Sequence, residues 1–173
     1  MRKILLIAVL LMNFVAVQAT AQCEETYLLC KKHFTKEENK AGWNVNKQSQ
    51  GLSVEKGTEY ETIVTAYKGL EYRLSVCTDI EGGIPANFKL ERESMVTVTD
   101  STGNTTIERQ REVVFDSSIN LEELYVLFRS NKTENFYLTV TIPSTGKSKK
   151  LKDSDNVCIG VLLEHRKTKK SSL

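Results

Sequence analysis

The chain has 173 residues, with 24 Lys and Arg against 22 Asp and Glu, two histidines and four cysteines. Near-balanced charge speaks against a nucleic-acid binder, which needs a basic face to displace counterions. The length suits one ordinary domain that buries its own core without a cofactor or a metal.

Arg2 and Lys3 precede an apolar run from Ile4 to Val17, followed by Ala19-Thr20-Ala21. A positive start, a short apolar stretch and a small-x-small site form the layout of a secretory signal peptide, with cleavage expected after Ala21. The run is short for a membrane span, and no later segment replaces it, so no transmembrane span is expected. The mature chain from Gln22 is therefore read as periplasmic or secreted. Lipid attachment at Cys23 would need a small residue immediately before it; Gln22 stands there, so release is expected instead. Arg2 and Lys3 leave with the leader, and the remaining chain is formally neutral. Arg166, Lys167, Lys169 and Lys170 crowd into 166–173, which reads as a basic, disordered tail.

Residues 24–38 have Tyr27, Cys30 and Phe34 at helical spacing, with Leu28 beside them and Glu24 and Glu25 at the positive end of a macrodipole. The pattern predicts one N-terminal α-helix within 22–42, packed on a domain spanning 43–165. In such a helix Cys23 and Cys30 lie about 10 Å apart. A disulfide needs Cα atoms within about 7 Å, so each would reach instead to Cys77 or Cys158 and pin the helix to the domain. The rival pairing joins Cys23 to Cys30 in a non-helical loop and Cys77 to Cys158 between strands. Either way, four cysteines in an exported chain read as two disulfides. No C-x2-C pair is present, so no zinc site is expected.

The pattern then changes to alternation. Trp43 and Val45 share a face, Gly51 marks a bend, and Leu52-Ser53-Val54 alternates again before a turn at Glu55-Lys56-Gly57. Tyr60–Tyr67 is rich in strand formers, and Tyr72–Cys77 alternates most clearly. With Lys68-Gly69 between them, the two read as an antiparallel hairpin. Residues 78–87 read as loop. Phe88–Leu90 and Met95–Thr99 read as strands, and Asp100–Asn104 as a strong turn. Strands are further expected at Val113–Phe115, Leu124–Arg129, Phe136–Ile142 and Val157–Glu164, with a long polar loop over 143–156. About eight short strands with turns every eight to twelve residues predict a mainly β fold, an antiparallel β-sandwich with one N-terminal helix.

Candidate chemistry is sparse. His33 lies on the expected helix and His165 beside the tail; neither comes with a third group to hold it for nucleophilic catalysis, so no catalytic residue is nominated. Asp153-Ser154-Asp155-Asn156 offers oxygen ligands, but the glycine and distal glutamate of a calcium loop are missing, and a solvated turn is the plainer reading. Trp43 could stack a sugar, although a lone tryptophan on a strand is more often core. Trp43, Asp153 and Asp155 stand as weak binding candidates. Asn104-Thr105-Thr106 and Asn131-Lys132-Thr133 match N-glycosylation acceptors, and Asp100-Ser101-Thr102 matches a bacterial O-glycosylation sequon; all three fall in expected turns.

Leu52–Tyr60 resembles the "strand, then Lys-Gly-x-x-Tyr" entry of small secreted Bacteroidota proteins. Tyr67–Cys77 is similar to their "Y-x-G-x-[DE]-Y-R-[IL]-S-V-C" segment, and Cys158–Glu164 to their closing "C-[IV]-G-V-L-[IL]-E" strand. The resemblance implies an exported β-sandwich, jelly-roll-like, and carries no activity. The expectation is a non-enzymatic binding module, using loops 78–87, 100–104 or 143–156, with a glycan or an envelope protein as partner. The alternative is an envelope accessory protein that docks through its basic tail or an edge strand, and a hydrolase is the third reading.

Overall fold

The computed structural model describes residues 23–79, 86–120, 122–143 and 156–168. The expected signal peptide and most of the expected 78–87 and 143–156 loops lie outside them, as do Asp153 and Asp155. Nine strands are present among the described residues: β1 (Asn44–Val45), β2 (Gln50–Glu55), β3 (Glu59–Ala66), β4 (Leu70–Thr78), β5 (Asn87–Thr99), β6 (Thr105–Asp116), β7 (Tyr125–Arg129), β8 (Glu134–Thr141) and β9 (Asn156–Lys167). They form two antiparallel sheets. One runs β2–β9–β4–β7, with β1 also on β9; the other runs β3–β8–β5–β6.

This order follows from one long hairpin rolled into two layers. Its tip is the β5–β6 turn, and the nested pairs β4/β7, β3/β8 and β2/β9 fall alternately into the two sheets. The rolled sheets close through β4 on β9 and β5 on β8. That is the jelly-roll solution to packing eight antiparallel strands in two layers.

Alternation delivers the core. Val64 and Ala66 of β3, Tyr72, Leu74 and Val76 of β4, Phe88 and Leu90 of β5, Phe136, Leu138 and Val140 of β8, and Ile159, Val161 and Leu163 of β9 meet between the sheets. Tyr72 stacks on Phe128 at 5.3 Å, and Phe128 meets Phe136 at 4.9 Å, so aromatic contacts bridge the two layers. Each such pair adds about 0.5–1.5 kcal/mol beyond area burial.

Several expectations are corrected. The Lys68-Gly69 turn does not close a hairpin: β3 and β4 lie in different sheets, and the turn carries the chain from one layer to the other. Glu71 to Cys77 of β4 are all buried, which demands a central strand, while β3 keeps a polar outer face. A turn signal alone cannot distinguish a hairpin from a crossing between layers. The segments at Phe88–Leu90 and Met95–Thr99 are one strand, β5, and β6 occupies the whole of Thr105–Asp116. Finally, β9 runs through Lys167, so Arg166 and Lys167 belong to the sheet, not to a frayed tail.

The N-terminal segment is a 3₁₀ helix, Thr26–His33, followed by one short turn of helix, α1 (Lys36–Asn39), and not the expected α-helix over 24–38. Glu24 and Glu25 lie before the 3₁₀ helix, outside the first turn where a macrodipole would hold them. Runs of 3₁₀ beyond three or four residues are uncommon because the hydrogen bonds are poorly aligned. Here Cys23–Cys158 and Cys30–Cys77 fasten the segment to β9 and β4, the pairing that pins it to the sheet. Cys30, Phe34, Cys77 and Leu162 form a second, smaller core beneath it, with Tyr27, Leu29 and Tyr125 alongside; Leu28 is exposed. α1 is closed by a capping box in which Thr35 and Glu38 satisfy each other's backbone N–H groups.

Two glycines make room for this strap. Gly51 and Gly160 are opposite each other, and Gly160 in turn faces Cys77. A Cβ on Gly51 would fall 1.7 Å from the Cys23 carbonyl oxygen, and one on Gly160 would fall 2.5 Å from the Tyr27 Cα. The obstacle is backbone in both cases, so neither clash is relieved by turning a side chain. Gly160→Ala is therefore expected to lower unfolding free energy by about 1–3 kcal/mol or more, measured by urea denaturation. Unchanged stability would show that the strap does not need the trough.

Candidate functional site

The outer face of the β9-containing sheet is built in rows. Strand register sets Glu71 between Arg166 and Arg129, Arg73 between Glu164 and Leu127, and Ser75 between Leu162 and Tyr125. The strap roofs these rows, so charged side chains that would sit in water on an ordinary sandwich are enclosed.

Arg73 is 2 % exposed and Glu164 3 %. Arg73 Nε donates to Glu164 Oε2 at 2.9 Å, Nη2 donates to the same oxygen, and Nη1 donates to the Glu38 carbonyl at 3.4 Å. The guanidinium lies over the Phe34 ring, 3.5 Å from its centroid, with Trp43 at 4.9 Å and Tyr125 at 5.9 Å. Removing two charges from water is costly, and the fork of hydrogen bonds with the aromatic faces is what offsets it. Among the described residues no buried side-chain nitrogen or oxygen lacks a partner.

One row further, Glu71 accepts from Arg129 Nε at 3.0 Å and from Arg166 Nε at 2.7 Å. Burial pushes the Glu71 carboxyl upward, but hydrogen bonds and charge from Arg129 and Arg166 outweigh it, and its pKa falls below the ordinary value. Tyr125 donates its hydroxyl to Glu38 at 2.6 Å, which holds Glu38 low and raises Tyr125.

His33 Nδ1 lies 3.0 Å from Ser75 Oγ, a contact not foreseen from the sequence. Ser75 is fully buried, and its hydroxyl also lies 2.9 Å from the Leu124 carbonyl, an acceptor that competes with the imidazole for the serine proton. Burial lowers the His33 pKa, partly offset by the Leu124 carbonyl.

The nominated residues separate. Trp43 is half-buried outside the main core; its ring is met by Arg166, 4.2 Å from the centroid, and by Arg73 at 4.9 Å. Cys23, Cys30, Cys77 and Cys158 all serve the strap. Among the described residues no group of three or more His, Cys, Asp or Glu gathers to hold a metal ion. No helix there is long and apolar enough to cross a membrane, which leaves β-barrels aside. The sequon residue Asn104 is exposed at the β5–β6 tip, and Asn131 is exposed in the β7–β8 link.

The opposite sheet carries the open surface. β5 pairs with β8 only as far as Arg92, opposite Phe136, but continues with β6 to Thr99. Beyond Arg92 the two strands pair their main chains only with each other. Glu93 still accepts from the Tyr137 hydroxyl at 2.7 Å and Arg111 bonds Glu61 at 2.6 Å, so the arm without contacts to the body starts at the Ser94–Gln110 pair and its strands are about 20 Å long. The ten residues Thr105–Val114 of β6 are all exposed. Met95 is 67 % exposed and Ile107 70 %. The tip is well made: Asp100 Oδ1 accepts from the backbone N–H groups of Thr102 and Asn104, and Gly103 takes φ 89°. At the base, Val114 is the extra residue of a bulge, since Leu90 faces Phe115 and Glu91 faces Val113.

No protein-family model matches the chain, and no curated protein matches it.

Two outcomes are expected. Arg73→Met or Glu164→Leu alone strands a buried charge and should cost about 3–5 kcal/mol, whereas the double variant should cost less than either single one; a double-mutant cycle by chemical denaturation decides. For His33, the folded state favours the neutral ring, so its contribution is complete above the unfolded pKa of about 6.5 and declines as pH falls below it. The urea midpoint should drop between about pH 6.5 and 5 by less in His33→Gln than in the wild type.

Proposed function

We propose that this protein is an exported, non-enzymatic interaction module that contacts an envelope protein through its β5–β6 arm. The observation that carries the reading is the arm itself. Ordering a residue costs about 1–2 kcal/mol of backbone entropy, and residues 93–99 and 105–111 recover little of this by burial, since most of their side chains are exposed. A long arm that buries so little is well suited to meeting a partner.

Export is supported by the disulfides, which persist in oxidising compartments. Cys23 is bonded to Cys158, which uses up the sulfur a lipid would need and favours release after Ala21 over anchoring. A protein partner is favoured over a glycan because the one tryptophan is engaged by arginines. Docking through the basic tail is weakened because Arg166 is committed to Glu71 and Trp43.

The test separates arm from body. Photo-crosslinks to an envelope protein formed from positions Met95 and Ile107 of the full-length protein should be competed away by excess unlabelled wild type but not by a variant with Asn-Gly in place of Ser94–Gln110, whose Tm should stay within about 2 °C. A large loss of Tm would mean that the arm serves the fold, and turnover on a panel of esters, peptides or glycosides would overturn the non-enzymatic reading.

A further inference from the structure

Among the described residues β6 is the last strand of its sheet and pairs on one side only, with β5. Its exposed run reads Ile107-Glu108-Arg109-Gln110-Arg111-Glu112-Val113. In residue type this is a palindrome about Gln110, with a branched aliphatic residue at each end. The outer face of the sheet receives Ile107, Arg109, Arg111 and Val113, and the other face receives Glu108, Gln110 and Glu112, because successive strand residues alternate.

The palindrome decides what the edge can accept. Two copies paired antiparallel about Gln110 would set Arg109 of one against Arg111 of the other, and Glu108 against Glu112. Slipping by two residues keeps the faces matched but sets Arg109 or Arg111 against its own copy and an aliphatic residue against an arginine. Like charges directly opposite are destabilising in a sheet. A second copy is thus a poor occupant in the three registers that centre this run on itself or slip it by two residues.

Charges along a strand, such as Glu108, Arg109, Arg111 and Glu112 here, are one way in which sheets guard an edge, but guarded edges are also commonly short, bulged or closed by proline. β6 is a twelve-residue strand without proline or glycine, and its bulge lies at the base, outside the exposed run. It also holds Ile107 out in water, with Met95 on the same face of β5. The charges on the run have only exposed internal partners: Arg111 with Glu61, Glu112 with Arg92, and Arg109 with Glu93 at 4.0 Å. The pairs of Glu112 and Arg109 are of the weak, exchangeable surface kind, whereas Arg111 is held more firmly, bidentate on Glu61 and 3.9 Å over the Tyr137 ring.

Resting on the reading of the arm as the contact surface, we propose that the β6 edge takes up an extended strand of another protein carrying the inverted charge pattern. Acids lie opposite Arg109 and Arg111, bases opposite Glu108 and Glu112, and aliphatic residues opposite Ile107 and Val113. Main-chain hydrogen bonds supply the pairing, and the alternating side chains supply selectivity.

Two labelled peptides test this on the mature full-length protein by fluorescence anisotropy. Val-Lys-Glu-Thr-Glu-Lys-Ile presents the inverted pattern, and Ile-Glu-Arg-Gln-Arg-Glu-Val stands in for a second copy. Their side chains are equally neutral in sum, so a bulk charge effect cannot separate them. The inverted peptide should bind at least about tenfold tighter, and Arg109→Glu should weaken it at least about fivefold. Failure of the inverted peptide to bind at about 1 mM, equal binding of the two, or indifference to Arg109→Glu overturns strand addition. If photo-crosslinks from Met95 and Ile107 persist in that case, the arm remains a contact surface used in another way; if they are absent too, the reading of the arm falls with it.

Discussion

The structure depends on β4 being buried on both faces. A strand in a two-layer sandwich normally gives one face to the core and one to water, and β4 gives its second face to the strap. Every polar group on that face then needs a partner supplied by another segment. Glu164 and the Glu38 carbonyl answer Arg73, Arg129 and Arg166 answer Glu71, and the Leu124 carbonyl answers Ser75. The disulfides hold the strap where these contacts can form, and Gly51 and Gly160 let its backbone come close enough to make them.

The roof divides the molecule into a sealed side and an open one. The sheet of β9 has its outer face closed over β4 by covalent bonds, ion pairs and a second apolar cluster, with Leu127 and Arg129 of β7 left exposed at the margin. The sheet of β8 has no such cover among the described residues and extends into the arm. Rigidity on one side and reach on the other suit a module that presents a strand pair from a fixed frame. Under the strap, His33 Nδ1 lies 3.0 Å from Ser75 Oγ, which also reaches the Leu124 carbonyl.

Much of the architecture was legible from alternation. Tyr72, Leu74 and Val76 announced the inner face of β4, and the Asp100–Asn104 turn announced the tip of the arm. Even a sulfur pairing that pins the N-terminal segment could be favoured from distance alone, though the segment that carries Cys30 is a 3₁₀ helix. The roofed face was not legible. Glu71, Arg73 and Ser75 alternate with the core residues and look like a solvated face, because periodicity says which residues share a side and not what covers it. Glu164, directly after the apolar run 157–163, was the one local sign that a charge was to be buried. The arm escaped for the opposite reason: a polar strand exposed on both faces has no alternation to detect, so most of β6 read as irregular.

By itself the sequence determined the β class, the approximate strand count, the main core and an even set of oxidisable sulfurs, because these rest on local pattern and composition. Tertiary structure alone decided which strands neighbour one another, that Lys68-Gly69 crosses between layers, that Arg73 is enclosed, and that β6 is left with a free edge. Those outcomes are set by contacts between residues far apart in the chain, and pairing energies of that kind leave no trace in the spacing of neighbours.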